Sequence, residues 1–467
     1  MSVFLRNFSL RKKFICLPLL FILSGCSALT KPDVWKTFQR EESFYLTSLE
    51  QAKINLNQKT PFNLPTAAPL SEFVRVALLN NQALKAAFLE WKSALYEVTS
   101  AYSLPQPQFT YSNYIEEVET RVGPQKQAFG VMQKIPFLGK LSTKGEIAKA
   151  KALALKENYN TQKLQLIQKV KEQYYEYAYL SEAIKITDEN EKLLSYFEKV
   201  IQAKYKTGEA QNQALLKTQV ELGKLADKLI SLRDFKKPLK ARLNALLSLP
   251  SDNEISFPQK VEYSLELDLD KEKFLEKCLA QNPELKNLEY NILALEKKVK
   301  MAQLNFFPDL STGLTYIETA NGPLNVSDNG KDPLILMFQF TLPLWLNDLS
   351  AQLNQSREQL AAKKSLFIDK RNQLEADVEF ILYNIKDNQR KVKLYQDALI
   401  PKSEQALKAA ETSYKSGEVD FLNLIDSQRM LLNFKLDYFR ARTDSAQNIA
   451  KLESILGCSL SDLLPKE

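Results

Sequence analysis

Histidine is absent from all 467 residues, and its absence removes the Ser-His-Asp, Cys-His and His-ligated zinc centres from consideration. Methionine and cysteine are scarce at 5 and 4 residues, which further weighs against a high-affinity metal site, so neither metal nor cofactor is expected. Glycine is scarce too, at 12 residues, while Lys, Glu, Gln, Leu and Ala are plentiful. Those residues lose little rotamer freedom in a helix and glycine loses much, so helix should dominate. With 45% hydrophobic and 25% charged residues, the chain is neither disordered nor collagen-like. Acidic pairs are scattered as they are on solvated helical faces, and no enzyme is expected. Basic residues alternate with acidic ones instead of forming a one-signed stripe, which argues against nucleic acid.

What is present begins at the N-terminus. Arg6, Arg11, Lys12 and Lys13 precede an apolar run from Phe14 to Leu23, too short to span a bilayer and shaped like a secretory signal over residues 1–25. No acidic residue lies in that segment, so most of the formal charge of +7 belongs to it. Leu23-Ser24-Gly25-Cys26 resembles the lipobox of bacterial lipoproteins, in which cleavage precedes the cysteine and acyl chains such as palmitate are attached. Cys26 is then the lipid anchor and Ser27 suits sorting to the outer membrane. A generic signal with a chance cysteine is the alternative, against which stand Ser24, Gly25 and the preceding leucine. Cys16 leaves with the signal, so only Cys278 and Cys458 could pair. Two separate buried thiols is the preferred reading, because sequence alone brings neither within bridging geometry.

The mature chain is an internal duplication. Asn81-Gln82-Ala83-Leu84 returns as Asn282-Pro283-Glu284-Leu285, Pro107 as Pro308, and Tyr205-Lys206-Thr207-Gly208-Glu209 as Tyr414-Lys415-Ser416-Gly417-Glu418. Each copy holds a helix (Leu70–Tyr102, then Phe274–Phe306), two strands and a very long helical segment. From Glu146 to Thr207, and from Leu344 to Ile400, neither glycine nor proline occurs, which allows helices of roughly 90 Å. Leu164, Ile167, Val170, Tyr174, Tyr177 and Ile184 step by three and four, the spacing of a coiled coil. Gly208 and Gly417 interrupt helix on both sides and mark hairpin tips, a helix C-cap being the alternative for either alone. The expected organisation is a tether over 26–69 and a first repeat over 70–255, with a β-hairpin at 107–137. A linker at 256–270, a second repeat over 271–460 with a β-hairpin at 308–343, and a tail at 461–467 complete it.

The strands alternate an oily face with a small or polar one. Phe109, Tyr111 and Ile115 alternate with Thr110, Ser112 and Tyr114; Phe129, Val131, Ile135 and Phe137 alternate with Gly130, Met132 and Lys134. Leu310, Leu314 and Tyr316 follow the same rule, and Leu334, Leu336, Phe338, Phe340 and Leu342 form the most apolar stripe. Strands of about ten residues with that alternation fit a membrane barrel; a half-buried soluble sheet uses the same pattern. Four strands cannot close a water-filled barrel, so the membrane reading requires several chains, three giving twelve strands.

Lipobox, duplication, paired strands, long hairpins and the Tyr-Lys-x-Gly tips together resemble the outer-membrane efflux protein family, the TolC-like channels, over about Leu70 to Leu464. Gln133-Lys134-Ile135-Pro136-Phe137-Leu138-Gly139-Lys140 is similar to the strand-to-helix junction of the branch that works with resistance-nodulation-division pumps. Leu342-Pro343-Leu344-Trp345 is its counterpart in the second copy. The resemblance implies a mainly α fold with a small transmembrane β part: helical hairpins forming an α-barrel and, in a homotrimer, a twelve-stranded β-barrel. It also implies a lipoprotein of the outer membrane reaching into the periplasm, which passively conducts drugs, metal ions or proteins for a periplasmic adaptor and an inner-membrane pump. A type I protein-secretion channel and a non-pore adaptor or scaffold remain alternatives.

From the same resemblance an acidic constriction is expected one to two turns past Gly417, carried by Asp426 with Asp420 as a second candidate. A ring of such carboxylates repels anions and holds cations. Asn423 departs from the family pattern, the first copy has Ala214 and Lys217 at the matching places, and a solvated Asp near a helix start is the competing reading. Adaptor contact is expected at Tyr205, Gly208, Glu209, Tyr414, Gly417 and Glu418, with interhelical packing the alternative for both tyrosines.

Overall fold

A computed structural model describes residues 35, 38–39, 42–43, 68–208, 211–258, 261, 263, 271–323, 327–416 and 419–457. The candidate positions Cys26, Glu209, Gly417 and Glu418, together with Cys458, the signal, most of the tether and linker, and the tail, lie outside the described residues. We number the elements α1 (Leu70–Asn80), α2 (Gln82–Ala101), β1 (Gln108–Val118), β2 (Gln125–Ile135), α3 (Lys140–Lys206) and α4 (Asn212–Leu247). The second half supplies α5 (Lys271–Gln281), α6 (Pro283–Leu304), β3 (Asp309–Thr319), β4 (Leu334–Thr341), α7 (Leu346–Leu394), α8 (Ile400–Ser416) and α9 (Phe421–Leu456).

Each copy opens with two helices where the apolar spacing predicts one. The break falls at the repeated asparagine. Asn81 Oδ1 accepts from Leu84 N at 3.1 Å and caps α2, while Asn282 Oδ1 accepts from Leu285 N at 3.0 Å and caps α6. Their amides reach the other way. Asn81 Nδ2 donates to Leu246 O at 3.2 Å and Asn282 Nδ2 to Ile455 O at 2.9 Å, so each asparagine also ties the end of the last helix of its copy. The pairing is the same in both halves, and the recurring Asn-x-x-Leu is the residue pattern that makes it.

The first long helix, α3, runs 67 residues without interruption, about 100 Å at 1.5 Å per residue. It starts at Gly139, which sits at φ +92°, a conformation that disfavours side chains. Its faces pack against α2, α4, α6 and α9, so this one element links both repeats. The corresponding segment of the second copy is helical over residues 346–416 but is not regular throughout. A π-helical turn at Tyr395–Leu399 separates α7 from α8. Pro401 has no N–H and its ring crowds the carbonyl four residues earlier, and the wider turn just before it gives that ring room.

The four strands form one antiparallel sheet in the order β1-β2-β3-β4, with β2 and β3 joining the two copies and β1 and β4 left as open edges. Register sorts the faces. Phe109, Val131, Leu314 and Leu336 lie in one cross-strand row and Tyr111, Phe129, Tyr316 and Leu334 in another, all on one face. Rows between them, such as Thr110, Gly130 and Thr315, present the small and polar face. The oily face is largely uncovered: Phe109, Leu336, Phe338 and Phe340 are all exposed. Among the described residues no helix is long and apolar enough to cross a membrane.

Three hydrophobic clusters form the core, the first and third at corresponding places in the two copies. The first, around Phe73, Phe88, Trp91, Tyr159, Tyr174 and Tyr177, takes in Trp35 and Phe38. Phe38 is fully buried, stacked on Phe88 at 5.4 Å and edge-on to Trp91 at 5.1 Å. Of the segment before residue 65, the described residues 35, 38–39 and 42–43 are helical, and Trp35 and Phe38 among them are buried in this cluster. The second cluster, near the tips, joins Leu194, Phe197 and Ile201 of α3 to Phe421, Leu424 and Leu432 of α9. The third groups Phe274, Cys278, Leu285, Leu374, Leu452 and Leu456.

Candidate functional site

At the first hairpin tip α3 closes on Thr207, whose Oγ1 donates to Lys204 O at 3.0 Å, and Gly208 N donates to Tyr205 O at 3.1 Å. Gly208 takes φ +78° with no atom near the place of a Cβ, so backbone conformation rather than space calls for glycine there. Tyr205 is exposed on the outside of the turn. Its counterpart Tyr414 is not: it is half-buried, 5.1 Å edge-on to Phe421, and Lys204 Nζ stands 4.8 Å over its ring. Phe421 in turn meets Phe197 at 6.3 Å. One tyrosine of the pair is therefore free on the surface while the other binds the second tip to the first.

Asp420 stands at the N-cap of α9, its carbonyl accepting from Asn423 N at 3.1 Å and its side chain capping nothing. Asp426 lies six positions further on, about 120° around the helix, so the two acids do not share a face. Asp426 is exposed and paired with Arg429 at 3.0 Å. It lines a groove of about 720 Å³ between the first turns of α4 and α9, whose walls include Leu216, Val220, Leu422 and Ile425. Lys217, its positional counterpart, faces the same groove from α4. Asn423's counterpart Ala214 is buried in the tip cluster.

Above the tip, α3 and α9 are tied by polar contacts that residue spacing did not single out. Gln428 Nε2, itself buried, donates to Asn190 O at 3.1 Å. Higher still, Arg440 bonds Glu176 at 2.9 and 3.0 Å and pairs with Asp444, with its guanidinium 4.9 Å over Tyr179. Gln447 Nε2 donates to Glu172 O at 3.1 Å, and Lys171 pairs with Glu453. Burial disfavours the charged Arg440, and hydrogen bonding to Asp444 with the charge of Glu176 outweighs it, so its pKa lies above the ordinary arginine value.

The Gln133–Lys140 segment forms the junction between sheet and helices. Lys140 Nζ contacts Asp309 Oδ1 at 2.8 Å and Phe307 O at 2.9 Å, Lys134 reaches Asp309 at 3.1 Å, and Phe137 N donates to Asp309 at 3.0 Å. Phe137 stacks on Phe307 at 4.6 Å, joining this junction to the connection between α6 and β3 of the second copy. At the opposite end of the sheet the two turns are fastened together: Arg121 pairs with Asp328, Gly330 N donates to Val122 O at 2.6 Å and Ala320 N to Pro124 O at 2.8 Å. Among the described residues no group of three or more Cys, Asp or Glu is arranged to hold a metal ion.

Comparison with known proteins agrees with this geometry. The family model described as outer membrane efflux protein matches residues 73–248 and 274–458, once per repeat. A probable outer membrane lipoprotein, SilC, from Salmonella typhimurium is 23% identical over 90% of this chain and 92% of its own. Toxin and drug export protein A from Aggregatibacter actinomycetemcomitans is 24% identical over 66% of this chain and 67% of its own. Among solved structures, the outer membrane protein VceC of Vibrio cholerae superposes with a TM-score of 0.70 at 17% identity, covering 84% of this chain and 96% of that one.

Proposed function

Because the chain belongs to the outer membrane efflux protein family, we propose that it is the outer-membrane channel of a tripartite export system, a homotrimeric conduit that performs no reaction of its own. The observation that carries this reading is the open edge on each side of the chain. Among the described residues, β1 and β4 leave their outer backbone groups unpaired, an exposed row of donors and acceptors that a soluble protein avoids. The same is true of the helices. α4 presents Ile230 and Phe235, and α7 presents Ile368, Phe380 and Tyr383, to solvent. A copy placed with its β1 and α4 against the β4 and α7 of the next satisfies all four edges. Three such steps close a ring of about twelve strands, wide enough for water, with the oily face toward lipid and the small polar face inside.

In this reading the sheet spans the outer membrane, α3 and its partners line a periplasmic tunnel, and acylated Cys26 anchors the chain. The tips at Tyr205–Glu209 and Tyr414–Glu418 meet a periplasmic adaptor, which connects to an inner-membrane pump that supplies the energy. Asp426, in its groove, is the acid positioned to face the constriction, and the α3–α9 contacts hold that end closed. The relatives keep more than one cargo open: a toxin and drug exporter is among them, so small molecules and proteins both stay within range.

Native mass spectrometry of the detergent-purified, lipidated protein, with radiolabelled palmitate incorporation into wild type and Cys26→Ser, tests the assembly. A trimer that dissociates on heating, with label lost in the variant, is expected. A delipidated monomer that stays in solution without detergent contradicts the channel and favours the scaffold.

A further inference from the structure

The groove between α4 and α9 draws charge from both copies, and its sign is not that of an acidic ring. Asp426 holds Arg429 at 3.0 Å and Glu221 holds Lys224 at 2.8 Å, each carboxylate answered by a cation one turn along its own helix. Lys217 makes no ion pair with any described carboxylate. Lys217, Lys224 and Arg429 against Glu221 and Asp426 leave one surplus positive charge among the described lining residues. The floor between them is apolar: Leu216 and Val220 are 54% and 57% exposed, beside Leu422 and Ile425.

We propose that this groove binds amphiphilic organic anions, with Lys217 the residue that sets its selectivity. The inference rests on the channel reading, which brings three copies of the groove to one axis. An apolar floor gains about 25 cal/mol for each Å² it removes from water, and the lysine adds a charge-assisted hydrogen bond to a sulfonate or carboxylate. A purely inorganic cation finds neither: Asp426 and Glu221 already hold ammonium or guanidinium partners. Repeated three times around a narrow opening, the Lys217 charges add, because low-dielectric walls focus the field.

Reversal potentials in planar bilayers under a KCl gradient test the sign, with 8-anilinonaphthalene-1-sulfonate then added from the tip side as the amphiphilic anion. Wild type should favour neither ion or favour chloride, and the sulfonate should lower its current. Lys217→Glu should shift selectivity toward potassium several-fold and weaken the block at least tenfold; Lys217→Arg should keep both. Lys217 is exposed, so these variants keep their fold, and Lys217→Gln gives an intermediate in which only the charge is lost. A strongly potassium-selective wild type, or a Lys217→Glu channel with unchanged reversal potential and block, overturns the inference while leaving the channel reading intact. Folded trimers that never conduct overturn both.

Discussion

The two copies share their joints and differ in their load. In each, an asparagine caps the second helix and grips the end of the last one, and corresponding leucines, Leu243 with Leu247 and Leu452 with Leu456, fill the space behind it. What differs is the long segment. α3 is unbroken and packs on α1, α2, α4, α6 and α9, whereas its counterpart carries a π-turn before Pro401 and buries 8 residues along α7 and 2 along α8, against 21 along α3. Among the described residues, the aromatic core built around Trp91 has no equivalent in the second copy, where Ile292 holds that position half-buried. Within one chain the first copy is thus the loaded column and the second the lighter arm, and the exposed α7 of that arm is the edge that the next copy covers in the proposed trimer.

The largest test of that asymmetry is Trp91→Ala against Ile292→Ala. Removing the fully buried indole should cost about 3–5 kcal/mol, and the isoleucine less than about 2 kcal/mol, read from thermal melts of the detergent-solubilised protein. Equal losses would mean the column is not specially loaded. The shared joints predict symmetry instead. Asn81→Ala and Asn282→Ala should each cost about 1–2 kcal/mol, for a lost cap and an abandoned carbonyl, and the two values should agree closely.

A smaller contrast sits where α4 and α9 end. Ser248 takes φ +54° and its counterpart Gly457 takes φ +77°. Ser248→Gly should stabilise by up to about 1 kcal/mol by relieving the left-handed serine. Gly457→Ser should do the reverse and more, since its new Cβ would stand 3.0 Å from Gln281 O.

Alkali offers the finest comparison. Burial pushes the Cys278 thiol of the second copy up to about 11, with Asp377 adding to it, and burial pushes the Tyr177 hydroxyl of the first up to about 12, with Glu254 adding. Both groups are neutral when folded, so their contribution is complete below their ordinary values of 9.0 and 10.0 and is lost as pH rises through the raised ones. Amide exchange around α5 should therefore accelerate at lower pH than exchange around the middle of α3. In a Cys458→Ser background, Cys278 should also resist thiol reagents at pH 8 until the protein unfolds.

How much of this was legible depended on periodicity. Strands such as Leu334–Thr341 and the unbroken run into Tyr205 announce themselves by alternation and by the absence of breakers, and the duplicated Tyr-Lys-x-Gly located the first turn. Asn81 and Asn282 were visible as a repeat but not as caps, because their partners Leu246 and Ile455 lie far along the chain. Trp35 and Phe38 sit in a stretch without helical rhythm, and only the rings of Phe88 and Trp91 give them a place. At the tips, Asp426 and Lys217 read as unrelated charges until α4 and α9 bring them to one groove. The Glu176–Arg440 and Asn190–Gln428 contacts looked like an ordinary solvated face, since a charge pattern on one helix does not reveal which helix covers it.

The central claim, that open edges on each chain exist to be closed by two further copies around a pore, is tested most directly by single-channel recording of the purified lipidated protein in planar bilayers. Discrete conductance steps from trimers, rising when Arg440→Ala loosens α9 from α3, are the predicted result. Well-folded, membrane-inserted trimers that stay electrically silent in both forms would contradict it.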